Sequence, residues 1–299
     1  MRKKYLYLFL GLALCGLSYL IYANYQQTKL LDQKRKASWA GLEQKLVDAL
    51  GKFNGDSAIV IKDLQTGWTF THQQETLFPA ASLSKIPIMA VCFLKAQEQS
   101  LRLSQTVKLK SQDKLGGSGV LKGVKPGTVF TVDYLIGLMI TESDNTATNI
   151  LTNMLGLKNL DSAFRELGLA HTNLSRKVAD YRLRKKGVEN YTTAGDMAFL
   201  LEKIYRKQLI NQGLSEKCIR LLRLSKINDR ILKYLPAEIS VAHKTGLERS
   251  VCHDAGIVFT AKGDFLICVL TKHKNSNSAP AKELIGRLAL DTYNYFSEL

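Results

Sequence analysis

The sequence is poor in metal-binding residues, and those present lack the spacing of a metal site. It has five cysteines and five histidines in 299 residues. The cysteines are Cys15, Cys92, Cys218, Cys252 and Cys268. No two form a C-x-x-C pair and no histidines form an H-x-x-x-H pair, so we expect no metal and no cofactor. Cys252 and Cys268 fall on neighbouring predicted strands and could form a disulfide, but buried free thiols are the better expectation.

Acidic residues are also scarce. There are 26 Asp and Glu against 42 Lys and Arg, which gives a net charge of +16. So basic a chain could bind nucleic acid, but its cations are scattered and no nucleic-acid motif is present. The one dense basic run is Arg182–Lys186. A surface facing anionic lipid or cell-wall polymer fits better, and we expect no nucleic-acid partner, although composition alone does not separate these classes.

The amino terminus has the pattern of a membrane anchor. Residues 2–4 are basic, and Tyr5–Ala23 contains no charged residue, which is about the length needed to span a bilayer. We expect an uncleaved, single-pass signal anchor in the inner membrane, with the basic residues inside. Residues 1–36 would then form the anchor, spanning about 5–23, and a stalk, while 37–299 form a monomeric catalytic domain in the periplasm or outside the cell.

Two rival interpretations of this segment are weaker. The apolar run is long for a cleaved signal peptide, and no clear A-x-A site follows it. A lipoprotein would use Cys15, but Leu14 before it suits that processing poorly.

The apolar spacing of the remaining chain predicts an α+β fold. Helical spacing covers 37–50, the segment after Ser82, 131–168, 192–207 and 215–224, and a final helix carries Ala281, Leu284, Ile285 and Leu288. Strand patterns cover 58–61, 67–71, 239–242, 256–259 and 265–270. Strands from both ends of the chain around a helical middle predict an α/β sandwich: one antiparallel sheet flanked by helices, with an all-helical subdomain.

The stretch Ser82-Leu83-Ser84-Lys85 precedes a long apolar run. A serine and a lysine three residues apart lie on one face of a helix, and the apolar run would bury that helix. A partly desolvated lysine there can accept the serine's proton, which describes a nucleophile and its base. The alternative is a helix cap, because S-x-x-K also arises by chance.

Two later motifs offer further polar groups. Ser143-Asp144-Asn145 lies at a break between helical runs, where it could relay a proton and bind a carbonyl, or only cap a helix. Lys244-Thr245-Gly246 ends a predicted strand. Its lysine offers a cation for an anionic substrate and its glycine permits close backbone approach, whereas the alternative is an edge strand with a solubilising lysine.

Together the three motifs resemble the penicillin-recognising serine hydrolases, most closely the class A β-lactamases, over roughly residues 38–299. Their order matches that family, with 61 residues from Ser82 to Ser143 and 101 from Ser143 to Lys244. The resemblance implies that Ser82 attacks the carbonyl of a β-lactam or a D-alanyl peptide and that Lys85 takes or relays its proton. Ser143 would pass a proton to the leaving nitrogen, with Lys244 lowering the barrier electrostatically.

The resemblance also implies how substrate binds. Asn145 would contact the substrate's side-chain amide and help to position the lysine of the first motif, while Asp144 would hold that turn. Thr245 would receive the substrate carboxylate beside the lysine of the third motif. The oxyanion hole would consist of the backbone N–H groups of the nucleophile and Leu247.

One part of the family pattern is missing. Class A β-lactamases have an R-x-E-x-x-x-N segment whose glutamate activates the deacylating water, and residues 175–190 contain no R-x-E. Asp180 falls nearest the glutamate's place and is either a weaker base or a salt-bridging loop residue. Glu189 is the less favoured candidate because it precedes a predicted helix start.

This departure leaves three functions open. The first is a β-lactamase acting through a Ser82 acyl-enzyme. The second is a D,D-peptidase acting on peptidoglycan, and the third is a non-turnover module that senses β-lactams. Without a well-placed base the acyl-enzyme would persist, and the protein would behave like a penicillin-binding peptidase or a slow hydrolase; the β-lactamase is the function we expect, with the other two as alternatives.

Overall fold

A computed structural model of the chain describes residues 2–274 and 276–298, with side chains described from residue 19 onward. The helices are α1 (Arg2–Gly51), α2 (Lys85–Gln97), α3 (Val132–Thr141), α4 (Asn145–Leu155), α5 (Leu157–Glu166), α6 (Tyr181–Lys185), α7 (Ala194–Tyr205), α8 (Gln212–Arg223) and α9 (Ala279–Glu298). The strands are β1 (Asp56–Asp63), β2 (Thr69–His72), β3 (Phe78–Pro79), β4 (Thr106–Lys108), β5 (Val129–Thr131), β6 (Tyr191–Thr192), β7 (Ser240–Glu248), β8 (Val251–Phe259) and β9 (Phe265–Lys272).

Five strands form one antiparallel sheet in the order β2-β1-β9-β8-β7, so strands from both ends of the chain pair at its centre. The predicted α+β class is confirmed. The strand predicted at 239–242 continues through Glu248, because residues 240–248 all pair with β8. The third motif therefore lies within an edge strand and not at its end.

The two faces of the sheet have separate cores. Along β1, Ala58 and Val60 face the core that α2 and the other middle helices share. Ile59 and Ile61 face the core formed by α1 and α9. This alternation follows from the two-residue period of a strand. The stripe predicted for the last helix is buried in that second core.

Helix α1 is longer than expected. The predicted helix at 37–50 is part of a single helix over residues 2–51, which continues through the predicted boundary at residue 36. Trp39, Leu42 and Leu46 pack it into the core, whereas every side chain from 19 to 34 is exposed. Side chains 5–18 of the predicted span, Cys15 included, lie outside the described part. Among the described residues, no helix has an apolar stretch suited to crossing a bilayer.

The helical middle surrounds α2, whose residues Lys85–Phe93 are all buried. The region predicted as helical from 131 to 168 consists of three helices. It breaks where Ser143 and Gly156 adopt positive φ values of 52° and 83°. The four cysteines in the described part of the chain, Cys252 and Cys268 among them, are buried free thiols as expected.

Candidate active site

Ser82 lies on a short 3₁₀ turn, Ala81–Ser84, directly before α2. Ala81 has φ = +44°, a left-handed conformation that a non-glycine residue adopts only when its surroundings impose it. Two hydrogen bonds impose it here: Ala80 N–H donates to Asn190 O at 2.7 Å, and Ser84 Oγ donates to Ala81 O at 2.9 Å. The serine is thus presented to the cleft by a rigid turn.

Lys85 begins α2 and is fully buried. Its Nζ donates to Ser143 O at 2.6 Å, to Ser143 Oγ at 3.0 Å and to Asn145 Oδ1 at 3.0 Å. Burial lowers the pKa of Lys85 well below its usual range; the charge of Lys244 lowers it further and Asp144 opposes both. The three acceptors accommodate an ammonium, whereas burial and the second cation favour the amine. The two forms are therefore closer in free energy than for an exposed lysine, as a proton relay requires.

Ser143 connects the two lysines. Its hydroxyl oxygen accepts from Lys85 Nζ and from Lys244 Nζ, each at 3.0 Å. With both lone pairs engaged, the hydroxyl hydrogen remains available to a substrate atom. The structure thus brings together the lysines and the serine that the sequence placed 58 to 159 positions apart.

Asp144 holds the turn, as the resemblance implied, and it is also the cap of α4. Its carboxylate accepts from the backbone N–H groups of Val120 at 2.7 Å, Leu121 at 2.8 Å and Ala147 at 2.9 Å. The chain passes so close to it that a Cβ on Gly119 would lie 2.3 Å from Asp144 Cγ. This carboxylate therefore fastens the glycine-rich loop to the second motif.

Lys244 lies on the edge strand β7 but is fully buried, so its interpretation as a solubilising residue is wrong. Burial lowers the pKa of Lys244 to about 7; Asp254 opposes this shift and Arg230 adds to it. Arg230 is a buried cation that the sequence analysis missed, because it lies in an irregular segment before β7 with no motif around it. Thr245 is buried and is not among the residues that line the cleft, so its contact with a carboxylate stays a prediction.

His253 is a second residue that the sequence analysis missed. Its Nε2–H donates to Pro79 O at 2.9 Å and its Nδ1 accepts from Thr271 N–H at 3.1 Å, which defines a neutral ring. Burial lowers its pKa to about 4, against the opposing effect of the hydrogen bond to Pro79. A Cβ on Gly246 would lie 3.3 Å from the ring and 3.4 Å from Ala81 Cβ. As predicted for this glycine, β7 and the nucleophile turn approach closely.

A cleft of about 140 Å³ opens between these elements. It is lined by Ala81, Ser82, Gly117, Ser118, Asn145, Arg176, Val178, Ala179, Tyr181, Glu189, Asn190, Leu247 and Glu248. Leu247 is 49% exposed and faces the cleft with Ser82, consistent with the predicted oxyanion pair. Because enclosed ligand sites usually measure about 300–1,000 Å³, this cleft has room for one reacting group but not for a whole drug-sized molecule.

The carboxylates that line the cleft do not include Asp180, the residue that the sequence favoured as the base for deacylation. Asp180 caps α6 by accepting from Leu183 N–H at 3.0 Å, and it does not line the cleft. Glu189 does line it. The helix predicted from residue 192 begins at Ala194, because Tyr191 and Thr192 pair with β3. Glu189 therefore precedes a short strand and not a helix, and it lies in the cleft wall.

Glu189 is held by two guanidinium groups. Its Oε1 pairs with Arg176, and its Oε2 accepts from Arg184 Nε at 3.0 Å. Arg184 also contacts Glu248 Oε2 at 2.6 Å. Burial raises the pKa of Glu248, while Arg184 and Arg176 oppose that shift. Donors thus occupy the Glu189 oxygens, which leaves them poorly placed to accept a proton from water.

With Lys85 as the base and Lys244 as the substrate-binding cation, the roles that the resemblance implies, the two lysines predict a bell-shaped pH profile for acylation by an anionic substrate. The amine of Lys85 must be neutral to accept a proton, so the rate falls as pH decreases. Lys244 must be charged to attract the substrate, and with a pKa of about 7 it loses its proton as pH rises above that value. In a profile of kcat/KM against pH, Lys244→Arg should shift the alkaline limb to higher pH, because a guanidinium stays protonated. An unmoved limb would assign it to another group.

Comparisons with known proteins agree with this geometry. A model of the Beta-lactamase enzyme family matches residues 41–296. The chain is 27% identical over 237 residues to β-lactamase VEB-1 of Pseudomonas aeruginosa, covering 73% of this chain and 78% of that protein. Among solved structures, a β-lactamase from Sphaerobacter thermophilus is 27% identical with a TM-score of 0.79, covering 87% of this chain and 98% of that one. PBP-A is 26% identical with the same TM-score, covering 87% and 97%, and a variant of it was solved as an acyl-enzyme with penicillin G.

Proposed function

This chain belongs to the β-lactamase enzyme family, and we propose that it is a class A-type serine hydrolase that opens β-lactam amides through an acyl-enzyme on Ser82. The observation that carries the proposal is the arrangement around Ser143. Lys85 Nζ and Lys244 Nζ each donate a hydrogen bond of 3.0 Å to Ser143 Oγ, beside the turn that presents Ser82.

Acylation follows from this arrangement. Ser82 Oγ attacks the β-lactam carbonyl carbon, and its proton moves to the neutral amine of Lys85. The negative charge that develops on the carbonyl oxygen is stabilised by the N–H groups of Ser82 and Leu247. As the carbon–nitrogen bond breaks, the hydroxyl of Ser143 protonates the nitrogen and regains a proton from Lys85, while Lys244 attracts the substrate carboxylate. The product of this step is an ester on Ser82.

Deacylation is the slower half. Water must attack the ester with help from a base, and the Glu189 oxygens are occupied by Arg176 and Arg184. This clamp supports a second candidate function, a D,D-peptidase acting on peptidoglycan peptides, in which a long-lived β-lactam ester would mark inhibition. That Asp180 assists water in place of Glu189 stays a prediction.

One experiment tests the proposal and separates the candidates. The purified full chain is mixed with a chromogenic cephalosporin, and product and protein mass are followed together, with Ser82→Ala as the control. Sustained product supports a β-lactamase. A single burst with a stable adduct supports a peptidase or a sensor, and release of D-alanine from a stem peptide identifies the peptidase. If wild type forms no adduct and matches Ser82→Ala, the proposal is wrong.

Releasing Glu189 should speed deacylation. In Arg184→Ala, Oε2 of Glu189 loses its donor while Arg176 still holds Oε1. We expect the Ser82 ester to decay about tenfold faster, which is less than the roughly 10²–10⁴-fold of a fully available general base because Arg176 still holds the other oxygen. Decay is measured by mass spectrometry after removal of excess cephalosporin.

Arg182→Ala is the matched control, because Arg182 lies two residues away and is exposed. The gain should disappear in the double variant Arg184→Ala/Glu189→Gln. If the ester still decays faster than wild type in the double variant, the faster deacylation does not depend on Glu189.

We further propose that residues 5–23 anchor the chain in the membrane, with the catalytic domain outside the cytoplasm. The sequence pattern supports this, and α1 would supply a helical spacer through its exposed residues 24–34. Carbonate extraction of membranes tests it: a chain released like a peripheral protein would contradict an anchor.

A further inference from the structure

Positive charge is concentrated around the cleft. The segments 106–127 and 175–190 contain eleven Lys and Arg against three Asp and Glu. Their net charge of +8 is half of the chain's +16, carried by 38 of its 299 residues. Both segments contribute cleft-lining residues, among them Gly117, Ser118, Ala179 and Tyr181. We call the exposed cations of the two segments the basic collar: Lys108, Lys110, Lys122, Lys125, Lys177, Arg182, Lys185 and Lys186.

The collar is largely uncompensated. Elsewhere on the surface many cations pair with acids, for example Lys62 with Glu202 and Lys217 with Asp133. In the second segment, only Arg176, which lines the cleft, and Arg184 have carboxylate partners. The exposed collar residues form no ion pair with any described residue. Like charges concentrated on these two segments repel one another, so an anion bound among them reduces a repulsion already present in the fold.

We propose that the basic collar binds an acidic peptide whose scissile amide enters the cleft. This inference rests on the acyl-enzyme chemistry proposed for Ser82 and extends its peptidase candidate, since it names a peptide substrate class for the same site. The small cleft takes the reacting end of the peptide, and the remaining residues cross the rim at about 3.3 Å each. Carboxylates two or three residues from the reacting amide then lie about 7–10 Å from it, which is comparable with the Debye length of about 8 Å at physiological salt.

Three features favour a peptide over an anionic lipid surface. Both segments that carry the collar contribute lining residues to the cleft, so a bilayer lying against them would block access to Ser82. The first segment packs Leu109 and Leu121 into the core on the helical side of the sheet, whereas α1 belongs to the core on the other face. Tyr181, which lines the cleft between Lys177 and the run Arg182–Lys186, is 62% exposed and offers a flat apolar surface for a chain passing over it.

The test measures binding, so it does not depend on turnover. Two peptides ending in D-Ala-D-Ala, one with three glutamates and one with three glutamines, are titrated against the full chain carrying Ser82→Ala. At 20 mM salt we expect the acidic peptide to bind about tenfold more tightly, and we expect this preference to vanish near 0.5 M salt.

The quadruple variant Lys177/Arg182/Lys185/Lys186→Gln should lose the preference. The control variant Lys34/Lys52/Lys158/Lys262→Gln removes the same charge from exposed positions outside the collar and should keep it. Without the Ser82 substitution, both variants should form the cephalosporin adduct within twofold of wild type.

The other outcomes overturn the inference. Equal affinity for the two peptides in wild type, or a preference that survives in the collar variant, excludes the collar as a peptide site. If the collar variant loses binding only to phosphatidylglycerol vesicles, the occupant is lipid. Failure of the proposed function appears separately, as absence of the cephalosporin adduct in wild type.

Discussion

Lys85→Met is expected to slow acylation of Ser82 by about 10²–10⁴-fold, the range that general acid–base catalysis supplies. Methionine fills a similar volume but cannot accept a proton. Lys85 is buried, begins the helix behind the nucleophile, and is joined to Ser143 and Asn145 by hydrogen bonds. Acylation is measured by rapid mixing with a chromogenic cephalosporin, followed by mass spectrometry of the quenched protein.

Two controls show whether the loss concerns proton transfer. Lys85→Arg keeps the positive charge and the donors but cannot act as a base, so it should be about as slow as Lys85→Met. A fast arginine variant would show that Lys85 acts through its charge. Thermal unfolding of each variant separates a catalytic defect from a folding defect, since methionine also leaves Ser143 O and Asn145 Oδ1 without a donor.

Asp144→Ala is expected to lower the free energy of unfolding by about 3–5 kcal/mol, because it removes the acceptor of three backbone N–H groups. Those of Leu121 and Ala147 are in buried contacts, and the close packing of Gly119 on the carboxylate leaves little room for water to replace it. Urea unfolding of the full chain measures the change.

Asp144→Asn offers the graded comparison. The amide keeps one acceptor oxygen but directs an NH₂ group at a backbone N–H, so it should fall between wild type and alanine. A loss below about 1 kcal/mol in the alanine variant would mean that water satisfies the freed donors. We expect acylation to fall with stability, because the same carboxylate fixes the turn that carries Ser143.

Much of the fold could be predicted from local patterns. The strand at 58–61 and the apolar stripe on α9 were both predicted, and they follow from the backbone periods of a strand and a helix. That β1 turns alternate residues to two separate cores is visible only in the structure. Chain breaks were harder to locate. The turn at Ser143 depends on a positive φ at that residue. The start of α7 depends on the pairing of Tyr191 with Pro79, which lie far apart in sequence.

The sequence by itself determined which residues could supply a nucleophile, a base and a cation, because S-x-x-K, S-D-N and K-T-G can be identified without coordinates. Only the tertiary structure decided the burial, the pKa and the charged neighbours of those groups. The burial that lowers the pKa of Lys85 and Lys244, the two arginines that hold Glu189, and the contacts of Arg230 and His253 all arise from packing between distant segments. Whether a carboxylate can act as a base depends on the groups that lie near it in the fold, and the residues next to it in the sequence do not specify those groups.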